Sequence, residues 1–121
     1  MLKECPLIVR NLTRNTTLAD QAAVADTSAK RRTGLLKHER LAPGEGLWIV
    51  PCEGVHTFGM KFAIDVVFIS KRRTVVKLRP NMVPRRIAFA LRASSVLELP
   101  VGVIESSGTR VGDQLELIKD Q

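Results

Sequence analysis

The run IDVVFI at Ile64–Ile69 constrains the fold most, because it is apolar on both faces of an extended chain. A half-exposed strand alternates apolar and polar residues, whereas a strand covered on both sides is almost continuously apolar. We therefore expect Ile64–Ile69 to run through the middle of the core. The chain's main polar cluster immediately precedes it, so core and candidate site should meet within residues 51–70.

Turn residues divide the rest of the chain into short segments. Branched apolar runs predict strands at residues 6–12, 18–25, 47–50, 74–79, 96–99 and 114–118. Residues 87–93 fit either a strand or a helical turn, and Pro80 and Pro84 bracket an irregular segment. In the strand at 74–79, Val76 and Leu78 should face the core together.

Two short helices are expected, at residues 29–37 and 103–106. Asp26 or Thr27 would cap the first helix, with Leu35 and Leu36 on its buried side. Gly34 indicates close backbone packing or an early helix end, and we favour packing. The predicted fold class is α+β, mainly β. It is a compact single domain over residues 1–121, with a mostly antiparallel sheet curled into a partial barrel and one or two short helices.

Composition places the protein among soluble globular domains. The 121 residues suit one domain, and no window approaches the ~18 apolar residues of a membrane span. The apolar run near the start is shorter than a signal-peptide core, so we expect no membrane span and a cytoplasmic location. Cys5 and Cys52 are too few for a disulfide framework and are expected to be free thiols.

The net charge of +7 is concentrated in the middle of the chain, where residues 30–92 hold 14 basic and four acidic side chains. This excess predicts a basic face that favours an anionic ligand or partner. Nucleic acid is an alternative partner, but five aromatic residues and no tyrosine supply few stacking platforms. The residues assigned to the basic face are Lys71, Arg72, Arg73, Arg85 and Arg86.

Polar side chains around the central strand are the candidate binding residues: His56, Thr57, Phe58, Met60, Asp65 and Glu98. Cys52 is the candidate reactive thiol. Cys52, His56 and Met60 could hold Cu(I), or zinc with Asp65 replacing Met60. Alternatively, Cys52 could be a nucleophile, with His56 as its base and Asp65 orienting the imidazole.

Structural roles are open for the same residues. In that interpretation Thr57 and His56 bond nearby backbone, and Met60 packs in the core. Asp65 accepts backbone amides or pairs with Lys61 or an arginine. Glu98 alternates with Leu97 and Leu99, a pattern typical of a solvent-facing carboxylate. If Glu98 instead lay in a cleft beside Asp65, the two carboxyls would raise each other's pKa.

Six segments, taken in order, carry a resemblance to a known family: RRTGLL, GEGLWI, HTFGMKFAIDVVF, VVKL, VLELPVG and VGDQLEL. They resemble the small prokaryotic family catalogued as domain of unknown function 192. The resemblance implies a β-rich domain with one or two helices and brings no established enzymatic activity. Other members often carry an export signal or membrane anchor. Here the turn at residues 71–73 is basic where the family shows aspartate and glycine.

These observations predict a binding module rather than an enzyme, with no catalytic residue, cofactor or metal assigned. The ligand would be a small molecule or a segment of a protein partner, received in a cleft near the HTFGM segment. We expect a monomer or a weak dimer. The alternatives are the Cys/His enzyme, the copper or zinc protein, and nucleic-acid binding through the basic face.

Overall fold

The computed structural model describes residues 6–119, which form nine strands and two short helices. Seven strands make one sheet in the order β6-β5-β8-β3-β2-β1-β9, and β4 and β7 pair separately. The strands are β1 (Leu7–Asn11), β2 (Thr16–Ala25), β3 (Glu45–Ile49), β4 (Gly54–His56), β5 (Ile64–Ile69), β6 (Val75–Met82), β7 (Ile87–Phe89), β8 (Ser95–Leu99) and β9 (Leu115–Lys119). The helices are α1 (Ser28–Thr33) and α2 (Val103–Ser107).

The central apolar run behaves as its sequence predicts. All six residues of β5 are buried, and β5 pairs in antiparallel fashion with β6 on one side and β8 on the other. Among the main-sheet strands within residues 6–119, β2 and β3 form the only parallel pair. The sheet curls into a half-barrel, which confirms the predicted mainly β fold class.

The two faces of the main sheet carry separate cores, because successive side chains of a strand point to opposite faces. Val67 of β5 and Leu97 of β8 pack in the first core with Ile104 of α2. Val66 and Phe68 of β5 pack in a second core. That second core is completed by residues outside the main sheet, including Leu35, Met60 and Ala88.

Helix α1 is shorter than predicted. The Thr27 hydroxyl accepts a hydrogen bond from the Lys30 amide, as expected of an N-cap. The helix ends at Gly34, whose φ of 48° is a conformation that glycine adopts readily, and Leu35 is buried only after the helix has ended. The prediction of close packing at Gly34 is wrong, since a Cβ there would meet only the Arg31 carbonyl oxygen at 3.8 Å.

Strand β6 differs from its prediction in length and in facing. It continues through Pro80 to Met82, because β6 is an edge strand where a missing N–H removes no ladder bond. A register shift opposite Phe68 and Ile69 also breaks the alternation of its side chains. Val75 and Leu78 therefore pack with the first core and Val76 with the second, so the predicted shared face of Val76 and Leu78 is wrong.

The small sheet of β4 and β7 was predicted only in part: β4 was not predicted as a strand, and β7 lies within the undecided segment 87–93. Residues 87–93, which fitted a strand or a helical turn, begin with β7. Strand β4 is only three residues long, and its sequence GVH contains a single β-branched residue. Pairing of Val55 with Ala88 attaches this small sheet, and Ala88 belongs to the second core.

Candidate functional site

A pocket of about 590 Å³ lies beside α1, on the side of the main sheet that carries the second core. We call it the Glu98 pocket. Its apolar walls include Leu35, Leu36, Ile49, Val55 and Met60. Its ionisable side chains are Arg31, Arg32, Cys52, His56 and Glu98. Its volume and mixed lining resemble those of pockets that bind small molecules.

Glu98 is the buried acidic group of this pocket. It sits in β8 opposite Leu47 of β3 and Val66 of β5, both members of the second core. The residue is 4% exposed, and none of the described residues gives its carboxyl group a hydrogen bond or an ion pair. Burial raises the pKa of Glu98 to about 7, because the carboxylate has lost most of its hydration. Near neutral pH the group is therefore shared between its neutral and charged forms.

Glu98 and Asp65 do not form the carboxyl pair that the sequence allowed. Glu98 is opposite Val66, whereas Asp65 is opposite Leu99. Directly opposed residues share a face and neighbouring residues alternate, so the two carboxyls point to opposite faces of the sheet. Glu98 is also not the solvent-facing residue that alternation with Leu97 suggested, because β8 is buried along its whole length.

Asp65 has a structural environment. One carboxylate oxygen accepts the Asn81 amide at 2.8 Å, and the other accepts the amides of Gly102 at 3.1 Å and Ile104 at 2.9 Å. Asp65 is buried and does not line the Glu98 pocket. The structure therefore does not bring Asp65 together with Cys52 and His56 as the zinc and Cys–His–Asp alternatives require.

Cys52 lies in the pocket as a protonated thiol. Its Sγ donates to the Gly54 carbonyl oxygen at 3.0 Å. Burial is the main cause that raises the Cys52 pKa above its ordinary value; the charge of Glu98 also raises it, and the charge of Arg31 lowers it. A raised pKa withholds the thiolate, the form that attacks electrophiles. Within residues 6–119, no three His, Cys, Asp or Glu side chains are grouped to hold a metal ion.

Thr57 and Met60 are both buried but differ in what they touch. The Thr57 hydroxyl donates to the Val83 carbonyl oxygen at 2.6 Å and accepts the Arg86 amide at 2.9 Å. Thr57 thereby ties the end of β4 to the segment between β6 and β7. Met60 packs in the second core and also lines the Glu98 pocket.

His56 joins the Glu98 pocket to an exposed apolar surface. It lines the pocket and pairs with Ile87 across the small sheet, and its ring lies 5.9 Å from that of Phe58. Phe58 is 48% exposed, Ile87 66% and Phe89 59%. We call Phe58, Ile87 and Phe89 the β7 surface. Exposed large apolar side chains in one place are typical of interaction surfaces.

The predicted basic residues lie at the two ends of β6. Residues 71–73 precede the strand and residues 85–86 follow it, which separates the groups by about 23 Å along the strand. The Arg73 guanidinium stacks over the Trp48 ring at 5.0 Å. This placement spreads positive charge along one edge of the sheet instead of concentrating it at one point.

Comparison with known proteins identifies the family. The family model DUF192, described as an uncharacterized ACR, matches residues 10–117. The chain belongs to the DUF192 family. This DUF192 domain is 31% identical to a UPF0127 protein of Thermococcus sibiricus, over 88% of this chain and 71% of that protein. A UPF0127 protein of Pyrococcus furiosus is 32% identical over 88% and 94% of the two chains. The resemblance seen in the sequence is therefore confirmed.

Two solved structures share the fold of this DUF192 domain. A protein of unknown function from Novosphingobium aromaticivorans superimposes with a TM-score of 0.79 at 24% identity, covering 92% of this chain and 83% of that one. A proposed transcription regulator from Sinorhizobium meliloti gives 0.80 at 23% identity, with 92% and 91% covered. Neither helix in residues 6–119 of this chain has the length and apolar character to cross a bilayer.

Sequence reasoning missed the part of the pocket that α1 contributes. Arg31 and Arg32 are not among the predicted site residues, yet both line the Glu98 pocket, as does Leu36. The available signal was the basic triplet at residues 30–32, which closely precedes the apolar pair Leu35 and Leu36. Nothing local links it to Glu98, which lies far along the chain.

Proposed function

We propose that this DUF192 domain binds a small organic molecule in the Glu98 pocket and acts by binding rather than by catalysis. The carboxyl group of Glu98 carries the proposal, because the residue is 4% exposed, lines the pocket and receives no hydrogen bond or ion pair from residues 6–119. A buried polar group that makes no hydrogen bond costs free energy. A ligand that donates a hydrogen bond to Glu98 recovers part of that cost, which makes the residue a specific anchor.

The walls of the pocket support binding of a partly apolar ligand. Leu35, Ile49 and Met60 are buried members of the second core, so this part of the wall is held by tertiary packing. Leu36 and Val55 pack partly against the same core. Burial of an apolar ligand surface against such a wall contributes about 25 cal/mol per Å² before the costs of association.

The chemistry around Cys52 and His56 favours binding over catalysis. The Cys52 thiol has a raised pKa, and no described carboxylate orients the His56 imidazole. A nucleophilic mechanism needs an activated thiolate and a positioned base. The other groups of the pocket can recognise a ligand: the Glu98 carboxyl is a hydrogen-bond acceptor, Arg31 and Arg32 supply two guanidinium groups, and the walls are partly apolar.

The test is a thermal-shift screen of a defined panel of small carboxylates, amines, amino acids and polyols against three proteins. These are the wild type, Glu98→Gln in the pocket, and Glu116→Gln on exposed β9 as the matched control. We expect at least one compound to stabilise the wild type and Glu116→Gln alike, and Glu98→Gln at least fivefold more weakly in affinity. A panel in which every compound acts equally on all three proteins would overturn the proposal.

The β7 surface supports a second candidate, the docking of an acidic protein segment. Phe58, Ile87 and Phe89 are exposed together, and Arg85 and Arg86 directly precede β7. A chain of net charge +7 repels a second copy of itself, so charge favours an acidic partner over self-association.

Fluorescence polarisation with two synthetic peptides tests this second candidate. The peptides share leucine and phenylalanine positions and differ only in having glutamate or lysine between them. We expect the acidic peptide to bind more tightly and Phe89→Ser to weaken it at least fivefold, with Val111→Ser at another exposed apolar position as control. Equal binding of both peptides would refute the acidic docking site, and a concentration-dependent dimer lost in Phe89→Ser would reassign the surface to a second copy.

A further inference from the structure

The polarity of the Glu98 pocket is asymmetric. Glu98 is a buried acceptor in the middle of the sheet, whereas Arg31 and Arg32 belong to the short surface helix α1, none of whose residues is buried. Apolar side chains, including Ile49 and Met60, also line the same pocket. The pocket thus offers a carboxyl group at its buried side and guanidinium groups at its outer side.

We infer that the pocket selects a small amphoteric molecule, with an ammonium group for Glu98, an apolar body, and a carboxylate for the α1 arginines. This inference rests on the proposed function and names the class of its ligand. The chemistry is that of an amino carboxylate whose two charged groups are separated by a hydrocarbon chain. It forms no covalent bond with the protein.

The ammonium group of the proposed ligand is inferred from the carboxyl group of Glu98, which is unpartnered within residues 6–119. A buried carboxylate is stable only when a cation or several donors satisfy it, and none of the described residues supplies either. An ammonium group offers three donors and a full compensating charge. A neutral hydroxyl offers one donor and leaves the carboxylate uncompensated.

The carboxylate end follows from the arginines. A simple amine would approach past Arg31 and Arg32 on a chain of net charge +7, and like charges disfavour that approach. Arg31 donates to the Asp26 carbonyl oxygen at 3.2 Å and to the Ser28 hydroxyl at 3.4 Å. Because a guanidinium has five N–H donors, capacity for a carboxylate remains.

A simple carboxylic acid is also disfavoured. It would satisfy the arginines but leave Glu98 without a cation, and its own charge would oppose ionisation of Glu98. Of the three charge types, only the amphoteric molecule complements both sides of the pocket. Charge complementarity therefore gives selectivity among molecules of equal length and apolar area.

Isothermal titration calorimetry with matched probes tests the inference. For chains of four, six and eight carbons, the probes are the ω-amino carboxylate, the monoamine and the monocarboxylate. We expect at least one ω-amino carboxylate to bind tenfold or more tightly than both single-charge probes of its length. Glu98→Gln should remove its advantage over the monocarboxylate, and Arg31→Gln with Arg32→Gln should remove its advantage over the monoamine. Arg110→Gln, at an exposed arginine outside the pocket and the predicted basic face, should change neither.

Proton release gives a readout that a merely structural effect would not produce. Binding an ammonium favours the ionised form of Glu98, so the complex forms with release of a proton near pH 7 and affinity rises between pH 6 and 8. The other ionisable groups lining the pocket are Arg31, Arg32, Cys52 and His56. Titrations in buffers of different ionisation enthalpy measure the release, which Glu98→Gln should abolish.

The outcomes separate this inference from the proposed function. If monoamines or monocarboxylates bind as tightly as ω-amino carboxylates, the amphoteric class is wrong, while a Glu98-dependent ligand from another class keeps the proposed function. If no probe binds and no panel compound depends on Glu98, both are overturned. If replacing Arg31 and Arg32 does not change the affinity for the ω-amino carboxylate, the arginines do not bind its carboxylate and the inference is wrong.

Discussion

The Asp65 carboxylate accepts a hydrogen bond from the Ile104 backbone amide at 2.9 Å, across 39 positions of the sequence. Asp65 belongs to the central strand β5, and Ile104 to α2, whose N-cap Gly102 provides no side-chain cap. The same carboxylate also receives the amide of Asn81, which has a positive φ of 49° within β6. One buried side chain therefore satisfies backbone donors at the start of α2 and in β6.

Replacing Asp65 with alanine should destabilise the fold strongly. The substitution leaves three backbone amides without an acceptor: the buried amide of Ile104 and the part-buried amides of Asn81 and Gly102. Their loss together costs on the order of 3–5 kcal/mol in the free energy of unfolding. Urea denaturation measures the loss. Glu105→Ala, an exposed carboxylate on the same helix, should change stability by no more than about 0.5 kcal/mol. Similar small losses for both variants would show that Asp65 does not hold α2.

The Thr57 hydroxyl should matter for the attachment of the small sheet. Thr57→Val keeps the shape but leaves the Arg86 amide without its acceptor, for an expected loss of about 1–3 kcal/mol. Thr57→Ser retains the hydroxyl and should lose much less. Hydrogen exchange should show faster exchange of the β4 and β7 amides in Thr57→Val, and unchanged protection there would contradict the proposed role.

The elements that the sequence predicts best are those whose pattern is decided locally. Ile64–Ile69 is apolar on both faces, so its burial does not depend on which segments cover it. The end of α1 depends instead on Gly34 adopting a positive φ, which a helical pattern through Leu35 and Leu36 does not reveal. Strand β4 exists only because Val55 finds Ala88, a pairing made by tertiary structure.

The candidate site likewise combines features that the local sequence decides with features that only the tertiary structure decides. The types of its groups could be read from the sequence, since His56, Met60 and Cys52 all line the Glu98 pocket. Glu98 is also among the predicted binding residues, but its place in one pocket with Arg31 could not be read, because the two residues are far apart in the sequence. Asp65 and Glu98 also look equivalent as isolated carboxylates near apolar strands, and only strand register places them on opposite faces.

Stability should fall with rising pH because of Glu98. Its pKa is about 7 in the folded protein and near the ordinary value of 4.5 when unfolded, so the folded state binds the proton more tightly. The contribution of Glu98 is most favourable below pH 4.5, declines between pH 4.5 and 7, and is lost above that. Glu98→Gln keeps a neutral side chain of similar shape. It should therefore equal the wild type near pH 4 and exceed it by about 3 kcal/mol at pH 8.

Urea denaturation at a series of pH values measures this difference between the two proteins. Glu116→Gln should show a small difference with no step between pH 4.5 and 7, since that residue is exposed. If the difference in unfolding free energy between Glu98→Gln and the wild type does not change with pH, folding does not raise the pKa of Glu98 and this prediction is wrong.

The Cys52 thiol should react slowly with a disulfide reagent at pH 7, measured in a Cys5→Ser background so that one thiol is followed. Burial and Glu98 raise its pKa, and the rate should increase with pH beyond the range in which a free thiol has already ionised. Glu98→Gln removes the nearby negative charge, so at pH 8 it should react a few-fold faster, whereas Glu116→Gln should match the parent protein. Rapid reaction at pH 7 that slows when His56 is replaced by alanine would instead favour the Cys/His enzyme, because it would reveal a thiolate activated by the imidazole.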